Sequence, residues 1–450
     1  MICRELNWRS PKAAFAPLAG EPHAHFLHGG GLSVTAKWSI IVAFPTAVIE
    51  QNDGNADGWL SDVQTVINDR ALERRMSSLD APFFSGLIGY LGYEALGELE
   101  PSLELPASSY VFVDAVFGVY DAAAIFSRSA KTAYIVGRSE AACRKLENAL
   151  GCDALPVVTA PIFPTVISNF TRRDYMMAVS EVVERILNGD FYQANIAQRL
   201  TATSTRSFSP FDLFRMITEV SDSYFGALLQ YQEGAVLSNS PERFFKLSAR
   251  SEGVRKITTE PLKGTRRRGG DSDEDRLLTQ ALINDPKDRA ENIMIADLLR
   301  NDLSKICKDR SIQEEAICEL LTLAHIHHLV SRISGELRDE VSITDIFRAL
   351  FPSGSITGAP KIESMKAIAE IEGAGRGPYC GAIGYIDDAG AADFSVSIRT
   401  MMTDKNCHDL FVPVGGGITQ HSNPKAEYEE TLTKAAGATG AIIDSVNRMS

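Results

Sequence analysis

The chain has 450 residues, 44% of them apolar and 23% charged, with a formal net charge of −13. That supplies the core of one large or two ordinary domains but not the basic face that a nucleic-acid binder needs, since only Arg266, Arg267 and Arg268 form a basic run. No apolar stretch is long enough to span a bilayer and the opening MICRELNWRSPK lacks an apolar signal core, so a cytoplasmic protein with no membrane partner is expected.

In chain order, KWSIIVAFP, SGLIGYLGYEAL, YVFVDAVFGVYDAAAIF and KTAYIVG read as strands joined by turns, which makes residues 1–160 a sheet-rich first region. The prolines of CDALPVVTAPIFPTVISNF place a connection around residues 155–168, ahead of a second region over residues 165–450. Thr171 and Asp174 have capping-box spacing before a helix in which Tyr175, Val179, Val182 and Ile186 recur, and Gly189 ends it. Pro286 opens a further helix whose Ile293, Met294, Leu298 and Leu299 are expected to pack on one side, with Asp288 and Glu291 sharing a face. FPSGSITGAPK reads as a glycine-rich turn leading into a helix near Pro360. ADFSVSIRTMM alternates, so Phe394, Val396 and Ile398 are expected on one face of a strand and Ser395, Ser397 and Arg399 on the other. FVPVGGGIT reads as a strand running into glycines, and Asn423 as the cap of a helix from Pro424 that sets Glu427 and Glu430 on one face. Strands and helices mixed without regular alternation predict an α+β fold.

Seven scattered cysteines, Cys3, Cys143, Cys152, Cys307, Cys318, Cys380 and Cys407, lack CxxC spacing and read as reduced thiols rather than a disulfide framework or a zinc site. The acids Asp288, Glu291, Glu427 and Glu430 suit Mg²⁺ by donor type, but acids near helix starts also simply complement the helix dipole. Arg399 fits a carboxylate clamp or a structural ion pair. The glycines of PSGSITGAPK and PVGGGIT allow backbone N–H groups close to an anion or merely make tight turns. His327 and His328 fit a packed core as well as a site, Glu242 fits an ion pair with Arg243, and Lys263 in the turn PLKGT reads by itself as a solvated charge.

Taken together, DFYQANIAQRL, SPERF, DRAENIMIADLLRNDL, HHLVSRISGEL, SGSITGAPK, GPYCGAIGY, SIRT, GGGIT and EYEETLTKA follow one another in an order that resembles the chorismate-utilising enzymes, the anthranilate, aminodeoxychorismate, isochorismate and salicylate synthases. The resemblance covers about Thr165 to the C-terminus, and GLIGYLGYE is similar to the family's first part. It implies two mainly antiparallel β-sheets packed roughly orthogonally, helices outside, the first region intertwined with the core, and a site in the cleft between the sheets. By motif position it implies Glu291 and Glu430 as direct Mg²⁺ ligands with Asp288 and Glu427 acting mainly through water. It implies Arg399 and Tyr379 on a chorismate carboxylate with the backbone of Gly415, Gly416 and Gly417, and Ser355 and His328 along the ring. Glu242 falls at the position of the general acid for the departing C4 hydroxyl.

Two positions sort the family. Water-using members carry a lysine base where this chain has Gln193, which implies ammonia as the nucleophile. Lys263 stands where aminodeoxychorismate synthases typically carry lysine and anthranilate synthases alanine, which implies a covalent lysine intermediate and C4 amination, with anthranilate synthase large subunit as the alternative. HFLHGGGLS and EVSDSYFGALL depart from the tryptophan-binding members, and no amidotransferase motif is present, so a glutaminase subunit or free ammonium is the expected ammonia source.

Overall fold

The computed structural model describes residues 1–29, 38–51, 58–72, 79, 81–108, 110–151, 155, 157–220, 223–250, 253–323 and 326–439. Parts of HFLHGGGLS and EVSDSYFGALL, and Cys152, lie outside the described residues. The six described cysteines are free. No helix among the described residues is long and apolar enough to cross a membrane.

Two antiparallel sheets form the centre of an α+β fold, as expected. The first runs from Ile2–Leu6 through Thr132–Gly137, Ala122–Ser127, Trp38–Val42 and His25–His28 into Phe225–Tyr231, Gly234–Ser240, Thr400–Thr403, Asp409–Ile418 and Gln193–Thr203. The second runs from Leu262–Arg267 through Ile326–Glu336, Lys256–Glu260, Arg243–Leu247, Ala392–Val396 and Ala382–Asp387 to Gly86–Leu91, Ala115–Tyr120 and Ala47–Glu50. Each sheet therefore draws strands from both sides of residue 160.

Four apolar layers follow from this order. Ile40, Val42, Ile125 and Val136 of the first sheet pack with Ile88, Tyr120 and Tyr385 of the second. Leu229, Val236 and Met402 pack with Tyr90, Val116 and Ile383. The outer face of the first sheet buries Tyr175, Val179, Val182, Phe214 and Leu432 of its helices, and that of the second buries Trp59, Leu303, Ile346 and Phe347. Phe394 lies at the centre of the second group, stacked 5.2 Å from Phe245 and edge-on to Phe347 at 5.2 Å.

Local signals set several helix ends. Thr171 Oγ1 accepts the Asp174 N–H at 3.1 Å, and Gly189 closes that helix at φ +92°. Asp285 accepts the Lys287 and Asp288 N–H groups at 3.0 and 3.1 Å and caps the Pro286–Ser304 helix. Asn423 caps the Pro424–Ala438 helix through the Ala426 N–H.

The structure corrects several expectations. The first region also holds the helices Trp59–Arg70 and Glu140–Ala149, and Thr165–Ser168 is a strand on Gln193–Thr203 rather than connection. Ile293 is 46% exposed while Asn292, Ile295, Leu299 and Leu303 face inward, so the buried stripe is rotated from the expected one. PLKGT is not a turn: Lys263 lies in the strand Leu262–Arg267. The glycines 415–417 continue the strand Asp409–Ile418. The strand through Phe394 stops at Val396, because Ile398 N–H turns back to Val396 O at 2.8 Å and Arg399 adopts φ +51°.

Phe394→Ala should cost about 3–5 kcal/mol of stability, because it empties the ring cluster with Phe245 and Phe347. A lower midpoint of denaturant unfolding at unchanged slope is the expected result.

Candidate active site

Lys263 is placed by a bulge. The ladder between Leu262–Arg267 and Ile326–Glu336 pairs Lys263 with Leu329, then slips so that Thr265 faces His328. Gly264 takes up the slip at φ +75°, and a Cβ there would come within 3.0 Å of Asp288 Cβ and Cγ on the Pro286–Ser304 helix. The bulge thus presses the lysine strand against the helix that carries Asp288 and Glu291. The Lys263 ammonium donates to Ser355 O at 3.2 Å. Burial pushes its pKa below the ordinary 10.5, aided by Lys434, against the opposing pull of Glu291, Glu242 and Glu430.

Glu242 is 3% exposed and does not pair with Arg243. Arg243 is committed instead to Glu260 at 2.6 Å and Asp393 at 3.0 Å. Burial raises the Glu242 carboxyl to about 7, against stabilisation of the charged form by the Ser355 hydroxyl, Lys263 and the Leu262 N–H. Ser355 therefore touches both groups, its carbonyl on the Lys263 amine and its hydroxyl on the Glu242 carboxyl. It sits in the short helix Gly354–Ile356, within the segment expected as a turn.

Gln193 is fully buried, and among the described residues neither its amide oxygen nor its amide nitrogen has a hydrogen-bond partner. A Cβ at Gly417 would fall 2.4 Å from Gln193 Nε2 and 3.7 Å from Lys263 Nζ. The missing side chain lets the amide and the amine lie over the same stretch of backbone. Gly415, Gly416 and Gly417 pair on one edge with Ala197, Ile196 and Asn195. On the other edge the ladder covers only Leu410 and Phe411, so the glycines have no strand neighbour there among the described residues.

Next to Lys263 lie the acids. A Cβ at Gly416 would stand 3.4 Å from Glu427 Oε2 and 3.9 Å from Glu430 Oε1. Among the described residues Glu291 Oε1 is buried without a hydrogen-bond partner, with Lys287 Nζ 3.9 Å away, and burial raises the pKa of Glu291. Burial also raises Glu427, whose Oε1 accepts from Ser422 at 2.6 Å. Burial pushes Glu430 upward too, yet Lys434, 2.8 Å away, holds it below its usual value with help from Lys287 and Lys263. Asp288 turns toward Arg266, 3.2 Å away, rather than toward the other acids. Among the described residues no group of three or more His, Cys, Asp or Glu side chains is gathered to hold a metal ion as it stands. By donor type, the carboxylates from two helices, with a Glu291 oxygen that makes no hydrogen bond among the described residues, fit a hard divalent cation.

Arg399 is a partly buried guanidinium with no carboxylate partner among the described residues, and burial lowers its pKa. Near it, His328 Nδ1 faces Gly264 O at 3.3 Å and Thr265 Oγ1 at 2.9 Å. Nδ1 is thus engaged on the strand side, while the buried Nε2 has no hydrogen-bond partner among the described residues. Burial, with Arg399 second, lowers the imidazole to about 4, so the ring is neutral. Tyr379 is buried, and its chain segment is fixed to that of Arg399 by Cys380 N–H to Ser397 O and Ser397 N–H to Gly381 O, both 2.9 Å. His327 belongs elsewhere, with Asp275 and Thr322, each 2.9 Å away.

Lys434 and Ser397 escaped the sequence reading as site residues. The Glu430–Lys434 spacing was an available signal, since residues four apart meet on a helix. Ser397 Oγ, buried and unpartnered, had none beyond its place in an alternating segment.

A family profile described as "chorismate binding enzyme" matches residues 32–440. Aminodeoxychorismate synthase component 1 of Escherichia coli (strain K12) is 34% identical over 446 residues, 95% of this chain and 96% of that protein. Anthranilate synthase component 1 of Lactococcus lactis subsp. lactis (strain IL1403) is 34% identical over 426 residues, 89% of this chain and 90% of its own length. The crystal structure of anthranilate synthase component I from Streptococcus pneumoniae TIGR4 matches with a TM-score of 0.78 at 28% identity, over 90% of this chain and 93% of that one. With a profile spanning most of its length and relatives of this identity, the chain belongs to the chorismate-binding enzyme family and is a chorismate-utilising enzyme.

Proposed function

We propose that this enzyme aminates chorismate at C4, giving 4-amino-4-deoxychorismate on the route to 4-aminobenzoate and folate. The observation that carries this reading is the Lys263 amine, depressed in pKa and sharing Ser355 with the Glu242 carboxyl. In the first step the unprotonated Lys263 amine attacks C2, both conjugated ring double bonds shift toward C4, and the C4 hydroxyl leaves as water with the Glu242 proton. In the second, ammonia attacks C4, both double bonds shift back and Lys263 departs from C2 as a neutral amine. The new C4 ammonium then returns a proton to Glu242.

Arg399 and Tyr379, with the backbone N–H groups of Gly415–Gly417, would hold a substrate carboxylate, and Ser355 and His328 would line the ring. Gln193 offers no base to water, which favours ammonia as nucleophile. Glu291 and Glu430 would hold Mg²⁺ directly, with Asp288 and Glu427 acting through water. When bound, the ion supplies charge that fixes a carboxylate and polarises the ring. We infer a separate glutaminase subunit or free ammonium as the nitrogen source, which accords with the "component 1" name of the Escherichia coli relative. Free thiols at the six described cysteines accord with a reducing compartment such as the cytoplasm.

Incubated with chorismate, Mg²⁺ and ammonium, the chain should yield a product that retains the enolpyruvyl group and becomes 4-aminobenzoate only after a lyase is added. Direct release of 2-aminobenzoate and pyruvate would make it an anthranilate synthase instead, the alternative that the Lactococcus lactis relative keeps open. Lys263→Ala should reduce amination to background, and Glu242→Gln should slow it by about 10²–10⁴-fold.

The pH dependence has a definite sign. The folded pKa of Glu242, about 7, lies above its ordinary 4.5, so the protonated carboxyl stabilises the fold at low pH. That contribution is lost as pH rises through about 7. Glu242→Gln should therefore flatten the fall in melting temperature across this range, and a fall as steep as in the parent chain would contradict it. Mg²⁺ should raise the melting temperature of the parent chain, and Glu291→Gln and Glu430→Gln should each diminish that rise.

A further inference from the structure

The strand Gln193–Thr203 has an interrupted outer edge. Gly358–Ala359 pairs with residues 193 and 194, and Thr165–Ser168 pairs with residues 200 to 203. Between them no strand covers the edge among the described residues, opposite the glycines of the site. A buried ion pair occupies the gap. Arg376 Nη2 donates to Asn195 O at 2.8 Å, and Glu372 Oε1 accepts the Ala197 N–H at 2.8 Å. The pair is bidentate, Nε to Oε2 at 2.9 Å and Nη2 to Oε1 at 2.6 Å. Two side chains thus make the hydrogen bonds that a neighbouring strand would otherwise make.

The same guanidinium reaches a second wall of the site, since Nη1 donates to Ile356 O at 3.2 Å, one residue beyond Ser355. It lies over the Tyr93 ring, 4.8 Å from the centroid. A third wall is tied in through the Arg376 backbone. Glu94, 7% exposed, accepts the Arg376 N–H at 2.6 Å on one oxygen and the Gly377 N–H at 2.8 Å on the other. Tyr93 N–H returns to Gly377 O at 2.8 Å. Tyr379 follows two residues later.

We propose that Glu94, Glu372 and Arg376 are positioning residues that hold three walls of the site in register: the strand of Gln193, the turn of Ser355 and the segment of Tyr379. The inference rests on the proposed reading of that site. None of the three needs to touch substrate. Arg376 governs where Ser355, and through it Lys263 and Glu242, stand, whereas Glu94 governs Tyr379. Loss of the first should act on the chemical step and loss of the second on substrate binding.

The test is steady-state kinetics with chorismate on the full chain. Arg376→Lys keeps the charge but lacks the planar fork, and should lower kcat by about tenfold or more with little change in KM. Glu94→Gln replaces one acceptor oxygen with a donor and should raise KM by about tenfold with kcat largely kept. Glu94→Gln added to Tyr379→Phe should raise KM no further, because both variants act on the same contact. Unchanged kcat and KM in the single variants, even with lowered melting temperature, or full additivity in the double variant, would overturn the inference. If Arg376→Lys fails to fold, the Glu94 and Tyr379 cycle decides by the same criterion. A parent chain that consumes no chorismate would overturn the reading of the site and this inference together. A parent that turns it over beside indifferent variants would overturn this inference alone.

Discussion

An amine and a carboxyl are withdrawn from water side by side, and burial favours the neutral form of each. Lys263 and Glu242 are both held by Ser355, with shifts of opposite direction and a common cause. An exposed lysine and glutamate would be ammonium and carboxylate, neither of use as nucleophile or proton donor. Withdrawal from water shifts both equilibria the same way, toward the free amine and toward the protonated carboxyl. The chemistry proposed for this enzyme needs that pair of states.

The fold maintains this arrangement through features on both sheets. The bulge at Gly264 fits only because glycine accepts φ +75° with Asp288 close behind it. In the same sheet, Arg243 and its partners Glu260 and Asp393 fix the chain beside Glu242. Across the cleft, Gly416 and Gly417 leave room for carboxylates and for the Gln193 amide that a side chain would exclude. Buried ion pairs of this type add little net stability, since desolvation offsets their attraction, but losing one partner is costly. Their value here lies in fixing which strand faces which.

The sequence made the family legible because ordered motifs survive in it, and it placed the caps of the long helices because capping chemistry is local. Thr171, Gly189 and Asn423 act within a few residues of their own position, as does Pro286 at the start of its helix. Face assignments were less legible. Between helical layers and a second sheet, strand residues are buried on both faces, as Phe394, Ser395 and Val396 all are, so alternation does not report which side is solvated. Alternation also continued through Val396 to Arg399 where the strand had already ended. Glu94 and Arg376 stand 282 residues apart, and no local pattern in the chain signals that contact.

The most direct measurement is a titration of the Lys263 amine in the folded protein, by NMR of side-chain-labelled lysine with the resonance identified by its loss in Lys263→Arg. A midpoint below the ordinary 10.5 is the expected result. A midpoint at or above 10.5 would mean that the ammonium is as well solvated or as firmly paired as a surface lysine, and Lys263 would not be a nucleophile poised by burial.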